Sequence, residues 1–300
     1  MKKNKIKSNL INFGLRYISV DDKIVRMFLQ TKPSNVNEIV VLPATKMVEK
    51  KLINKMEQKK RYGRVTNGIF NGVNVSLIRS LVGCPNTSVT LESLKRCNVK
   101  AIVRVDFCGG LSLDDNPISI GDILVSKVTY CGDGTCPQYI MKYPELQDQI
   151  GSIPNPNPKI QELKSGNQSV YISEPDKQLK KLLIDEGNIL FPNKIKEVDC
   201  WTTDALFCEN ELFIKSLKSI KVQCIDMENS VFFLLSKLFN IKAASILSIS
   251  DLPGHPKYDL FNANTIHPDM ETGIESAIKI TIASLPKIKS LLEAEKNQVL

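Results

Sequence analysis

Two histidines in 300 residues leave this sequence little from which to build a histidine-bearing metal site. Its eight cysteines (84, 97, 108, 131, 136, 200, 208 and 224) are scattered, with no C-x-x-C pair and none of the density of a disulfide-stapled secreted domain. Reduced thiols are therefore expected. Only "CGDGTC" (131–136) brings two cysteines close, and no metal is expected there. No apolar run approaches the roughly 20 residues that a membrane-spanning helix needs. The N-terminus, "MKKNKIKSNLINFGL", starts like a signal peptide, but Asn9, Asn12 and Gly14 break its apolar run. A soluble, cytoplasmic protein with no membrane partner is expected. P-loops, dinucleotide fingerprints and G-x-S-x-G elbows are missing too, which removes several common nucleotide-binding and acyl-transfer architectures.

What is present is enough apolar matter for a sizeable core, 42% of the residues. The net charge of +8 gathers in the first seven residues and in "KKLINKMEQKKRYGR" (50–64). There the lysines interleave with Leu52, Ile53 and Met56, the pattern of a solvated amphipathic helix face without an aromatic stacking platform, so no nucleic-acid partner is expected. Arg61 and Arg64 follow it as candidate anion ligands.

Short apolar runs alternate with amphipathic stretches, which predicts an α/β fold with a mixed, mostly parallel sheet flanked by helices as a three-layer sandwich. Strands are predicted at Ile39–Leu42, Val73–Ile78, Ala101–Val105, Ile123–Val128, Glu197–Trp201 and Ala243–Ile249. Helices are predicted at Met47–Lys59, Thr87–Arg96, Lys177–Glu186, Glu228–Phe239 and Gly273–Leu285, with Pro286 interrupting the last. Residues 1–35 read as a basic extension with a short helix, and 36–300 as a single α/β domain. Within it "GSIPNPNPKIQELKSGNQS" (151–169) reads as a surface insertion.

Ligands of open α/β sheets bind beyond the carboxyl ends of the strands. The stretches there include "LPATK" (42–46), "RVDFCGGL" (104–111), "WTTDALF" (201–207), "IDMENS" (225–230) and "SISDLPGH" (248–255). "IDMENSVFFLLSKLFNIKAASILSISD" (225–251) resembles the acid–Met–Glu helix and following strand of the nucleoside phosphorylase-I family, which holds purine and uridine phosphorylases and related nucleosidases. "LPATKMVEK" is similar to that family's phosphate loop, "VGCPNTSVTLESL" to its Gly-Gly-Pro-Ser helix start, and "VRVDFCGGL…IGDILV" to its paired strands. The resemblance spans about residues 36–285.

It implies phosphorolysis of a purine or uridine nucleoside to free base and ribose 1-phosphate. No cofactor is implied beyond inorganic phosphate as cosubstrate. Glu228 is implied to accept hydrogen bonds from the ribose hydroxyls, a carboxylate suiting two vicinal O–H donors, with Met227 against the sugar face. Asp251 is implied to bind or protonate the base, with Gly109 beside it. Arg104, Lys46, Thr45 and Arg61 are implied to bind phosphate, Arg61 from a neighbouring subunit of a homo-oligomer, a dimer or a trimer of dimers.

The lip of the "RVDFCGGL" cradle departs from the pattern. Asp106 and Phe107 stand where the family has glycine and a hydroxyl residue, and Ala44 replaces a loop glycine. Residues two apart on a strand share a face, so an Arg104–Asp106 ion pair is expected, on the order of 4 kcal/mol before desolvation at 4 Å and an effective dielectric near 20. A hydrolytic nucleosidase or a catalytically impaired nucleoside-binding member are the alternatives these changes leave open.

Overall fold

The computed structural model describes residues 18–299 apart from 165 and 263. In chain order its elements are α1 (Val20–Leu29), β1 (Ile39–Val41), α2 (Lys46–Lys55), β2 (Glu57–Tyr62), β3 (Val65–Phe70), β4 (Val73–Ile78), α3 (Cys84–Leu94), β5 (Ala101–Gly110), β6 (Ile123–Cys131) and α4 (Thr135–Lys142). They continue with β7 (Ser152–Pro154), α5 (Pro158–Leu163), β8 (Ser169–Ser173), α6 (Lys177–Leu190), β9 (Ile195–Thr202), α7 (Glu211–Ser219), β10 (Val222–Asp226), α8 (Asn229–Leu238), β11 (Lys242–Asp251) and α9 (Pro268–Val299). The basic segment 1–17, with Asn12, lies outside the described residues.

The fold is α/β, a mixed sheet between two helical layers. β5 is its pivot. It runs parallel to β1 on one side and to β11 on the other, and its glycine end pairs antiparallel with β10. Because β11 also pairs with β6, β6 with β9, and β9 with β10, these five strands close a ring. Its hydrophobic filling includes Cys108, Leu124, Val198, Cys200, Cys224 and Leu247. β1 to β4 extend the sheet outward, and one helical layer packs on it through Leu52, Leu183 and Ile278. The other layer contributes Leu29, Leu91, Phe232 and Phe233. β5 reaches both layers because alternate residues of a strand face opposite ways.

The Gly109–Gly110 end of β5 owes its glycines to packing. A Cβ on Gly109 would lie 2.9 Å from Pro253 Cγ, and one on Gly110 would lie 2.9 Å from Ile249 Cδ1. The pair admits neighbouring segments to contact and continues the strand, where the sequence had predicted an end at Val105.

Two further expectations are corrected. The helix predicted through Lys59 stops at Lys55, and 57–62 forms the exposed edge strand β2, whose lysine-rich face the helical period mimicked. The segment 151–169 read as an insertion carries structure of its own: β7 and β8 pair as a hairpin around α5, and β8 joins β6. Helix α9 continues past Pro286, which does not interrupt it. Proline deprives the carbonyl four residues back of its donor, and here Asn71 Nδ2 supplies one, 3.2 Å from Ile282 O.

Candidate active site

The site is built from the end of β10 outward. Asp226 closes that strand and caps the start of α8: its Oδ2 accepts the N–H of Asn229 at 2.8 Å, and its Oδ1 accepts the Thr202 hydroxyl at 2.6 Å. Glu228 occupies the N-cap position, where its Oε1 accepts the N–H of Gly83 at 2.7 Å. Both carboxylates converge on Arg104 of β5. Arg104 Nη1 lies 3.1 Å from Asp226 Oδ2 and 3.0 Å from Asn229 Oδ1, while Nη2 pairs with Glu228 Oε2.

Arg104 is 1% exposed. Burial opposes its charge, yet Glu228, Asp226 and Asp106 together hold it above the ordinary arginine range. One cation cannot balance two buried carboxylates. Burial accordingly pushes the Glu228 carboxyl up to about 7, with Arg104 pulling it down and Asp226 and Asp106 pushing it further up. Asp226 is raised by burial against the same arginine.

The expected Arg104–Asp106 pair does not form. The two share a face of β5, but Arg104 is drawn toward α8 and Asp106 toward the loop after β1. Asp106 Oδ2 accepts the N–H groups of Ala44 and of Thr45, the latter at 3.0 Å. Its Oδ1 accepts the Thr45 hydroxyl at 2.9 Å and the N–H of Phe107 at 2.9 Å. Backbone donors converging at the start of a helix outcompete a guanidinium already claimed by two other acids.

These groups line a cavity of about 210 Å³ at the carboxyl ends of β5, β10 and β11, whose wall includes Thr45, Arg104, Gly109, Met227, Glu228 and Asp251. Asp251 pairs with Gly109 across β11 and β5, and its Oδ1 accepts the Ser250 hydroxyl at 2.7 Å. Burial raises its carboxyl above the usual aspartate range. Glu209 shares this end of the cavity and was missed in the sequence, lying two residues beyond "TTDALF". Burial, then Asp251 and Asp259, push its carboxyl up to about 8. Leu206, Leu260 and Phe107 add apolar surface to the wall.

Two of the implied phosphate ligands fall outside this wall. Lys46 is exposed at the first position of α2, and Arg61 is exposed on edge strand β2, its Nε donating to Gly63 O at 2.9 Å. Arg64 is half-buried and spends its guanidinium on the carbonyls of Phe28 and Arg79. Ser80 donates to Leu81 O, and His255 accepts the N–H groups of Lys257 and Tyr258 in its own loop. Cys131, Asp133 and Cys136 bring three donor atoms within 4.8 Å of one another. Asp133, however, is engaged by the N–H groups of Thr135 and Cys136 and by the Ser230 hydroxyl, so it acts as a strut between α4 and α8. A larger cavity, about 1080 Å³, opens at the opposite, amino-terminal ends of β5 and β11, among Lys100, Lys242 and Glu295. Lys242 there is paired with Glu295 and Asp176.

The chain belongs to the phosphorylase superfamily, whose sequence pattern matches residues 38–286. It is 20% identical over 227 residues to a guanosine phosphorylase of Halorubrum lacusprofundi, covering 75% of this chain and 80% of that protein. It is 23% identical over 226 residues to a 5'-methylthioadenosine/S-adenosylhomocysteine nucleosidase of Desulfotalea psychrophila, covering 74% and 84%. In fold it is similar to a purine nucleoside phosphorylase from Toxoplasma gondii, with a TM-score of 0.66 at 19% identity over 88% of this chain and 96% of that one.

Proposed function

We propose that the protein is a nucleoside phosphorylase, a pentosyltransferase that breaks the N-glycosidic bond of a purine or uridine nucleoside. It passes the ribosyl group to inorganic phosphate, giving free base and ribose 1-phosphate. The observation that carries this reading is one cavity lined by Glu228 and Met227 and also by Asp251 and Glu209, the last two close enough for their charges to interact. Glu228 already accepts from Gly83 and Arg104, but a carboxylate offers about four lone-pair sites, which leaves room for two ribose hydroxyls. Met227 supplies the apolar contact for the sugar face.

As the bond breaks, positive charge grows on the ribose and negative charge on the base. Groups placed where charge develops lower the barrier. The Glu228–Asp226 side is electronegative enough to favour the ribosyl cation. At the other end, carboxyls whose pKa is raised by burial are suited to hold a proton against a base nitrogen. The reading requires no organic cofactor and no metal.

Homo-oligomer formation, cytoplasmic location and a part in nucleoside salvage belong to the same proposal. Arg61, exposed and outside its own cavity wall, supports the first, since the resemblance sets this arginine at the site of a neighbouring copy. No helix among the described residues is long and apolar enough to cross a membrane, which is compatible with the second.

Hydrolysis of the same bond is the second reading, favoured by the Asp106 carboxylate within the phosphate loop. Release of base from a panel of purine and uridine nucleosides, with and without inorganic phosphate, separates the two. Ribose 1-phosphate appearing only with phosphate is the expected result. Equal release without phosphate would convert the reading to a nucleosidase, and no release would leave a binding protein.

A further inference from the structure

The loop joining β1 to α2 is arranged to hold an anion, and the anion it holds is the protein's own. The N–H groups of Ala44 and Thr45 and the Thr45 hydroxyl all donate to Asp106, and the N–H of Phe107 adds a fourth bond. Both carboxylate oxygens are thus engaged, and Asp106 is 1% exposed. Arg104, the other of the implied phosphate ligands that lines the cavity, is equally committed: its two terminal nitrogens serve Glu228, Asp226 and Asn229, and of its three side-chain nitrogens only Nε lacks a partner.

Asp106 is also fixed from behind. It sits within β5, in register with Leu247 of β11, so the strand has no freedom to withdraw it. Clearing the loop takes a side-chain rotation that abandons three donors from Ala44 and Thr45. A phosphate and a carboxylate cannot share these donors, because two anions at hydrogen-bond separation in a buried site repel strongly.

We infer that Asp106 is a built-in occupant of the phosphate cradle, and that inorganic phosphate binds there only by displacing it. The inference rests on the phosphorylase reading for the identity of the incoming anion. It explains why the one place where this chain departs most from the family pattern is chemically complete: the lost hydroxyl and glycine are replaced by an acid that satisfies the loop in the absence of any ligand.

The test is calorimetric titration of inorganic phosphate into wild-type protein, Asp106→Ala and Asp106→Asn, which needs no turnover. The expected results are wild-type binding weaker than about 1 mM and at least about tenfold tighter binding by Asp106→Ala, equivalent to ~1.4 kcal/mol. A smaller gain is expected for Asp106→Asn, which removes the charge but keeps the bulk. Wild-type binding tighter than about 1 mM, or variants whose affinity is unchanged or lower, would overturn the inference. Should the alanine variant fail to fold because three donors lose their acceptor, the asparagine variant and the wild-type titration still decide it. Failure of the phosphorylase reading is seen separately, as nucleosides that are not cleaved while the phosphate affinities still order as stated.

Discussion

At the end of the cavity that the proposal assigns to ribose, Asp226 and Glu228 share a buried arginine and a set of N–H and hydroxyl donors. At the base end, Glu209 and Asp251 line the same cavity, where Arg104 is the one cation of the wall among the described residues. Both ends are acidic and burial raises carboxyls at each, but at the first the Arg104 guanidinium favours the charged forms, whereas at the second Asp251 and Asp259 add to the effect of burial on Glu209. In the proposed reaction that difference sets an anionic surface against the developing cation and carboxyls of raised pKa against the leaving base.

The sharpest way to break that contrast is to remove the arginine. Arg104→Met leaves two buried carboxylates without their cation, and a loss of about 3–5 kcal/mol of stability is expected. Denaturant unfolding measures it; a change below about 1 kcal/mol would mean that the pair is not the centre of this network. Next in effect is Glu228→Gln, which keeps size and one acceptor oxygen but loses the carboxylate that the proposal sets against the ribose. A fall in kcat of about 10²–10³-fold is expected, with the fold retained by circular dichroism, and an unchanged rate would remove Glu228 from the site.

The base end is tested by pH. Glu209 titrates at about 8 in the folded protein against an ordinary 4.5. Between those values the folded state binds more protons than the unfolded state, so its contribution to stability falls as pH rises through the window. Glu228, raised to about 7, acts with the same sign. Glu209→Gln should therefore flatten the decline in Tm between about pH 5 and 8 and make the protein more stable than wild type at pH 9. A wild-type Tm that rises through this range would contradict the assignment. The smallest effect is expected away from both ends. Asn71→Ala removes the donor that answers Pro286 in α9 and should cost about 0.5–1.5 kcal/mol, read from chemical denaturation, with no effect on turnover.

Much of the molecule was legible because its local patterns and its tertiary structure agree. Val73–Ile78 was read to the residue, and the helix beginning "NSVFFLLSKL" was placed within one residue at each end. Asp251, Glu228, Met227, Arg104, Thr45 and Gly109 were named from motif order and stand around one cavity. Other parts were opaque for specific physical reasons. "EQKKRY" has a helical charge pattern, but pairing with β3 decides its state, and hydrogen bonds to a distant strand leave no mark on a charge period. Glu209 carries no motif, and its raised pKa comes from burial, then from Asp251 on β11 and Asp259 in the following loop.

The linear order of residues determined the alternation of strands and helices, the class of the fold and the clustering of acids beyond the strand ends, since periodicity and strand–loop boundaries are local properties. It also determined that Arg104 and Asp106 face the same way. Which partner each of them takes was decided only in three dimensions. A face is shared along a strand, but hydrogen bonds go to whatever the neighbouring elements bring within reach: the junction of β10 and α8 brought two acids to the arginine, and the β1–α2 loop brought its N–H groups to the aspartate.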